Sequence, residues 1–129
     1  MSLKTVNTVL VVLGALFIMY VGVSYAFTPS STAPDFGLPS WPSGDGGGFL
    51  VLKGIRDLVS GLVLLVLLAT RHRRALGWVL LATACTPLGD MITVLLHHGS
   101  TAAALGIHGA TAALIVLTAL LLLKETQAA

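Results

Sequence analysis

Four residues in this sequence could do acid–base chemistry: Arg56, Asp57, Asp90 and His108. Each lies within or beside a long apolar run, where Arg or Asp at a helix centre costs about 2.5–3.5 kcal/mol on membrane-insertion scales. Such residues need water or partners, and an acid, a base and a cation sharing one site can move protons and stabilise developing negative charge. Asp90 follows Gly89 deep in an apolar segment, so its carboxyl either pairs with Arg56 or keeps its proton.

Depth along the segments brings the four together. With a helix entering near Gly48, Asp57 lies about 13 Å along it; Asp90 lies about 11 Å back from His97, and His108 about 12 Å on from Ser100, at 1.5 Å per residue. Faces agree as well. Lys53, Arg56, Asp57 and Ser60 follow i, i+3, i+4, i+7 spacing; Thr86, Asp90, Thr93 and His97 follow i, i+4, i+7, i+11; His108 and Thr111 share a stripe with Thr118. Polar groups in lipid must face inward, so the expectation is an outward-opening polar pocket with Asp90, His108, Arg56 and Asp57 doing chemistry. Lys53, Ser60, Thr86, Thr93, His97 and Thr111 would line it for a ligand.

The elements that must position these residues are membrane spans. Of 129 residues, 56% are hydrophobic and only 9% charged, and the mean hydropathy is +0.96; soluble domains carry about a quarter charged residues. The expected fold is all-α: one domain over 1–129, an integral membrane four-helix bundle with helices at about 9–27, 49–70, 75–96 and 101–123. The segment 28–48 contains Pro29, Pro34, Pro39, Pro42 and the run Gly44 to Gly48, and reads as a long extracytoplasmic loop, either connector or lid. Its Phe36, Leu38 and Trp41 suit the membrane interface. The first apolar run also imitates a cleavable signal peptide, but exceeds the usual apolar length, which favours retention. Pro87 should kink the third span.

Lys4, the basic hairpin Arg71-His72-Arg73-Arg74 and Lys124 fall on one side. The positive-inside rule makes that side cytoplasmic, with both termini inside and the chain multi-pass in the cell membrane. The net charge of +2 is therefore a topology signal, and nucleic acid is not an expected partner; the lipid bilayer is. Cys85 is alone, makes no intrachain disulfide, and reads as a small core residue. His97 and His98 read as turn residues, since adjacent histidines diverge on a helix and no ligand set of recognised spacing accompanies them; no metal or cofactor is expected. There is no Gly-x-Ser-x-Gly elbow, phosphate-binding glycine loop, His-Glu-x-x-His or dinucleotide fingerprint.

Lys53-Gly54-Ile55-Arg56-Asp57-Leu58-Val59-Ser60-Gly61-Leu62, then Arg73-Arg74-Ala75-Leu76-Gly77, Pro87-Leu88-Gly89-Asp90 and His108-Gly109-Ala110 resemble the motif series of small four-helix membrane proteins catalogued as domain of unknown function 4267. The resemblance covers roughly Phe36 to Leu123. It implies four transmembrane helices and a motif core of Gly54, Arg56, Asp57, Gly61, Pro87, Gly89, Asp90 and His108, and no established activity.

Three function classes follow. The leading one is binding of a small lipophilic molecule in the outer half, with acid–base chemistry such as isomerisation or ring opening; whether the protein is an enzyme stays open. The second is a proton-coupled small transporter acting as a homo-oligomer, against which stand the nearly pure hydrocarbon stretches Val63 to Ala69 and Leu114 to Leu123. The third is a structural or accessory membrane subunit whose polar layer locks the helices.

Overall fold

Ser2 starts the first helix: its side chain accepts a hydrogen bond from the Thr5 N–H at 3.2 Å, satisfying one of the free amide groups of a helix start. A computed structural model describes residues 1–128. It contains five helices of eleven residues or more: α1 (Leu3–Phe27), α2 (Gly48–Ala69), α3 (Arg73–Thr83), α4 (Cys85–Leu96) and α5 (Ala110–Gln127). No strand occurs among the described residues. α1 begins six residues ahead of the expected 9–27, because Ser2 caps it and the polar stretch Lys4 to Thr8 carries its first turns.

Three stretches are long and apolar enough to cross a membrane: Leu3–Phe27, Arg73–Leu96 and Thr101–Gln127. The expectation of four transmembrane helices is thus met only in part. α2 has the length, but Lys53, Arg56 and Asp57 fall within it. The third expected span is also divided, at Ala84, into α3 and α4. Pro87 has no N–H to offer the carbonyl one turn earlier, so the helix loosens there instead of merely bending. The fourth is divided as well: after Thr101–Ala103, residues Ala104–Gly109 wind as a π-helix before α5 begins.

The expected bare loop over 28–48 is instead a folded linker. Pro29 and Pro34 stand in the first turns of the short helical stretches Pro29–Thr32 and Ala33–Phe36, and Gly44–Gly47 makes another 3-10 turn. Proline excludes a helix interior but suits a helix start, where its missing N–H costs nothing.

α1 pairs most closely with α2, α3 with α5, and α4 with the π-helical segment; α1 and α5 also meet. Gly22 and Gly54 permit the first pairing. A Cβ on Gly22 would stand 2.6 Å from the Gly54 carbonyl oxygen, so the two backbones touch, as small residues allow in membrane helices. The apolar core of Val11, Ala15, Leu64, Leu76, Leu80, Ala119 and Leu122 sits toward the Arg71–Arg74 hairpin. Large apolar side chains such as Leu16, Phe17, Leu62, Val66, Leu114 and Leu120 are exposed on the outside, the distribution a lipid-facing surface requires. Both hairpin turns close by a residue in the left-handed region, Arg71 at φ 61 and His98 at φ 55, followed by backbone bonds from the His72 N–H to the Leu67 carbonyl and from the Gly99 N–H to the Val94 carbonyl.

Candidate functional site

Two polar layers flank the core. Asp90 lies 17 residues beyond Arg73, His108 lies 17 before Glu125, and Tyr25 lies 18 beyond Asn7, so the layers stand about 25–27 Å apart at 1.5 Å per residue.

The layer at the linker end is built around His108. Its ring is buried, and Nε2 lies 2.8 Å from the Phe36 carbonyl oxygen. A carbonyl only accepts, so Nε2 carries a hydrogen. Nδ1 faces the Asp90 Oδ2 at 3.8 Å, too long for a hydrogen bond. The π-helix sets this aim: His108 is its penultimate residue, and the wider turn rotates the side chain inward, as such bulges often do at functional sites. The Phe36 ring lies against the imidazole with centroids 4.5 Å apart.

Beside them, Lys53 Nζ pairs with Asp57 Oδ2 at 2.6 Å. The ammonium also lies 4.5 Å from the centre of the Tyr25 ring and 5.5 Å from that of Phe36, a cation–π arrangement. Asp57 is buried in the α1–α2 seam, on the α2 face that also carries Gly54 and Gly61, which keeps it one helix turn from Lys53.

The structure therefore brings Asp57, Asp90, His108 and Lys53 toward one layer. Arg56 is exposed on α2 and makes no ion pair among the described residues; the cation next to Asp57 is Lys53. Ser60 is exposed, its hydroxyl spent on the Arg56 carbonyl. Thr86, Thr93 and His97 are exposed along the α4 flank, with His97 Nδ1 2.9 Å from the Thr93 carbonyl oxygen; Thr111 is half-buried. Cys85, expected in the core, is exposed and lines an apolar groove of about 620 Å³ between α4 and α5, with Leu81, Leu88, Met91, Ala113 and Leu117.

The linker closes this layer from above. Besides the Phe36 carbonyl, the Gly37 carbonyl accepts the Ser100 N–H at 2.8 Å. Gly37 has φ 99, and a Cβ there would stand 2.6 Å from the Ala103 Cβ; a Cβ on Gly99 would run into the Gly37 carbonyl oxygen. Glycine at both positions is what lets the linker seat on the turn between α4 and Thr101.

The layer at the hairpin end was invisible as a unit in the sequence. Arg73 grips Glu125 with Nε to Oε1 at 2.6 Å and Nη2 to Oε2 at 2.9 Å, and donates to the Thr8 hydroxyl at 3.1 Å and the Lys4 carbonyl at 3.2 Å. Asn7, wholly buried, donates from Nδ2 to Glu125 Oε2 at 2.7 Å, while its Oδ1 has no partner among the described residues. Tyr25 and Asn7 are residues that reasoning from sequence passed over, and Phe36, expected at the membrane interface, instead packs on His108. Asn7 alone gave a signal, as a polar amide one turn into an apolar helix.

Among known families, the one described as Domain of unknown function (DUF4267) matches residues 15–122. The chain belongs to this family. The match reaches back into α1, beyond the span Phe36 to Leu123 that the motifs alone suggest, so this DUF4267 chain carries both sides of the Gly22–Gly54 seam within the family region. No curated protein and no solved structure matches it.

Proposed function

We propose that this DUF4267 protein crosses the cell membrane four times, with both termini and the Arg71–Arg74 hairpin in the cytoplasm. α2 completes the set, with Lys53 covered by the Tyr25 and Phe36 rings and the exposed Arg56 reaching toward the head groups. The positive-inside pattern supports the orientation, and a separation of about 25 Å between the polar layers, close to a hydrocarbon core of about 30 Å, supports one layer at each membrane face.

In the outer layer the protein binds a small lipophilic molecule and moves a proton on it. The observation that carries this reading is the His108–Asp90 pair. The Phe36 carbonyl holds a hydrogen on Nε2, so the Nδ1 lone pair looks toward a carboxyl 3.8 Å away. Two acceptors face each other across a gap unless a proton or a proton-bearing group enters it. Such a pair, one face held by the backbone and the other open, suits a general acid–base role. Asp90 is 30% exposed beside the exposed Thr86 and Thr93, so a molecule dissolved in the bilayer can reach it. Lys53 supplies the nearby positive charge for a developing oxyanion.

Proton transfer at carbon leaves a mark that needs no knowledge of the substrate. Purified protein in nanodiscs, incubated in D2O with a total membrane lipid extract, should introduce deuterium into a discrete lipophilic species seen by mass spectrometry. Asp90→Asn and His108→Gln should each abolish the signal. Labelling that persists in both variants, or never exceeds that of empty nanodiscs, overturns the acid–base reading.

A further inference from the structure

The apolar groove between α4 and α5 stands apart from the proton chemistry of the outer layer. Its walls are two helix stripes, with Leu81, Cys85 and Leu88 on one side and Ala113, Leu117 and Leu120 on the other. Ten residues from Leu81 to Met91, and eleven from Gly109 to Leu120, make it about 15 Å long and parallel to the helices. α3 packs tightly on α5, where a Cβ on Gly77 would meet Leu123 at 2.9 Å; beyond the break at Ala84, α4 lies less close to α5 and the groove opens. Met91 closes the outer end, its sulfur 2.9 Å from where a Cβ on Gly109 would stand.

At the hairpin end the same two stripes run on to charge. Arg74, Trp78, Leu81, Cys85 and Leu88 follow at steps of four, three, four and three residues, and Lys124 is four residues beyond Leu120, so each stripe ends in a cation. Arg74 and Lys124 are exposed and make no ion pair among the described residues. The Arg73–Glu125 bridge sets them level, since each is the chain neighbour of one partner, and Arg73 already engages both Glu125 oxygens. We infer that these features form one site for an anionic phospholipid of the leaflet bordering the hairpin. Its phosphate lies between Arg74 and Lys124, and one acyl chain lies along the groove.

Charge chooses the head. A phosphate accepts charge-assisted hydrogen bonds from both cations, whereas a zwitterionic head group brings a cation of its own. Depth chooses the tail. Leu120 and Leu81 lie four and seven residues from Lys124 and Arg74, about 6–10 Å into the membrane. Trp78, 57% exposed, flanks that entry, as suits the interface. An extended chain advances about 1.2 Å per bond, so an eighteen-carbon chain of about 20 Å passes Trp78 and fills most of the groove. The groove volume of about 620 Å³ exceeds the roughly 150 Å³ that takes up a single benzene. A second copy docked here by two-fold symmetry would instead bring the same two cations to the same membrane face.

The test reads Trp78 fluorescence in vesicles. Trp41→Phe leaves Trp78 as the sole tryptophan, and the probes are phosphatidylglycerol and phosphatidylcholine with identical chains carrying bromine, a quencher, midway along them, titrated into unbrominated phosphatidylcholine. Phosphatidylglycerol should reach half-maximal quenching at about ten- to thirtyfold lower mole fraction, the value expected for two cations at an anionic head group. With Arg74→Gln/Lys124→Gln added, the two lipids should quench alike. Lys4→Gln/Arg71→Gln, which removes two other exposed cations of the same membrane face, should leave the preference in place. Ala113→Phe, which fills the groove and keeps the cations, should reduce it several-fold.

Equal quenching by the two lipids in the starting protein overturns the site. Loss of the preference in Lys4→Gln/Arg71→Gln to the same extent as in Arg74→Gln/Lys124→Gln overturns it too, leaving only a diffuse surface field. A preference untouched by Ala113→Phe removes the groove as the seat of the chain. Trp78 shielded from both lipids, in protein that cross-links as a dimer, gives the groove to a second copy and overturns the lipid.

Discussion

The two polar layers of this molecule are made of similar side chains and are built in opposite ways. At the hairpin end, Arg73 spends Nε, Nη1 and Nη2 on Glu125, Thr8 and the Lys4 carbonyl. Those bonds tie the start of α1, the start of α3 and the end of α5 into one knot. At the linker end, His108 and Asp90 stay 3.8 Å apart, and the ring's other nitrogen is held by a loop carbonyl. A planar guanidinium gripping a carboxylate in two places has little freedom left. An imidazole 3.8 Å from a carboxyl has no such bond to hold it there. The difference teaches that a polar residue in an apolar helix says little by itself: saturation of its hydrogen bonds separates a lock from a site.

Breaking the lock should have the largest effect. Arg73 and Glu125 side chains are each 13% exposed, and removing one partner of a buried pair costs about 3–5 kcal/mol; at the mouth of the bundle, where water screens part of the charge, about 3 kcal/mol is expected. Arg73→Met should lower the thermal unfolding midpoint in detergent by several degrees, and Arg73→Met/Glu125→Leu should recover much of the loss. A midpoint unchanged by the single substitution would erase the distinction between the layers.

Next comes the cover of the outer layer. Gly99→Ala drives a methyl group toward the Gly37 carbonyl oxygen and within 2.8 Å of Val94 Cγ1, so the linker must lift. A penalty of about 1–2 kcal/mol is expected for such a local misfit, read as a several-fold or greater rise in hydrogen exchange across residues 29–47 with the hairpin end unchanged. Uniform protection would show that the linker seats without this contact. Smaller still is the structural effect of Asp90→Asn. A contact of 3.8 Å contributes no hydrogen bond, so the unfolding midpoint should move by the equivalent of less than about 1 kcal/mol while deuterium labelling disappears. A large loss of stability here would make the outer layer a second lock.

The sequence exposed the outer layer better than the inner one, for a physical reason. Asp57, Asp90 and His108 interrupt apolar runs, and a rise of 1.5 Å per residue puts them at one depth without any tertiary information. Arg73 and Glu125 stand at span ends, where charge is ordinary, so they read as topology markers and their pairing across 52 residues stayed hidden. Helix geometry already favours Lys53, one turn before Asp57, over the adjacent Arg56; the Gly22–Gly54 contact adds that Asp57 lies in the seam. The seating of the linker was equally hidden, because its two bonds to the bundle come from the carbonyls of Phe36 and Gly37, groups every residue carries. The π-helix that aims His108 had no sequence mark either.

Asn7 gives the smallest expected effect and the sharpest view of the inner layer. Its amide nitrogen makes a charge-assisted bond of 2.7 Å to Glu125, while its Oδ1 is buried and unpartnered among the described residues. The orientation is forced, since turning the amide over would set its oxygen against the carboxylate. The donated bond contributes about 1.5–3 kcal/mol, whereas a buried acceptor left without a donor costs about 1–3 kcal/mol. Asn7→Leu, of similar size, removes both and should leave the unfolding midpoint within the equivalent of about 1 kcal/mol of the starting protein. Asn7→Asp tests the same balance from the other side, because a second carboxylate beside Glu125 must either compete for Arg73 or take up a proton, and it should destabilise at neutral pH with recovery at acid pH. If Asn7→Leu instead costs as much as Arg73→Met, the amide is an integral strand of the lock, and its free oxygen has a donor such as a buried water.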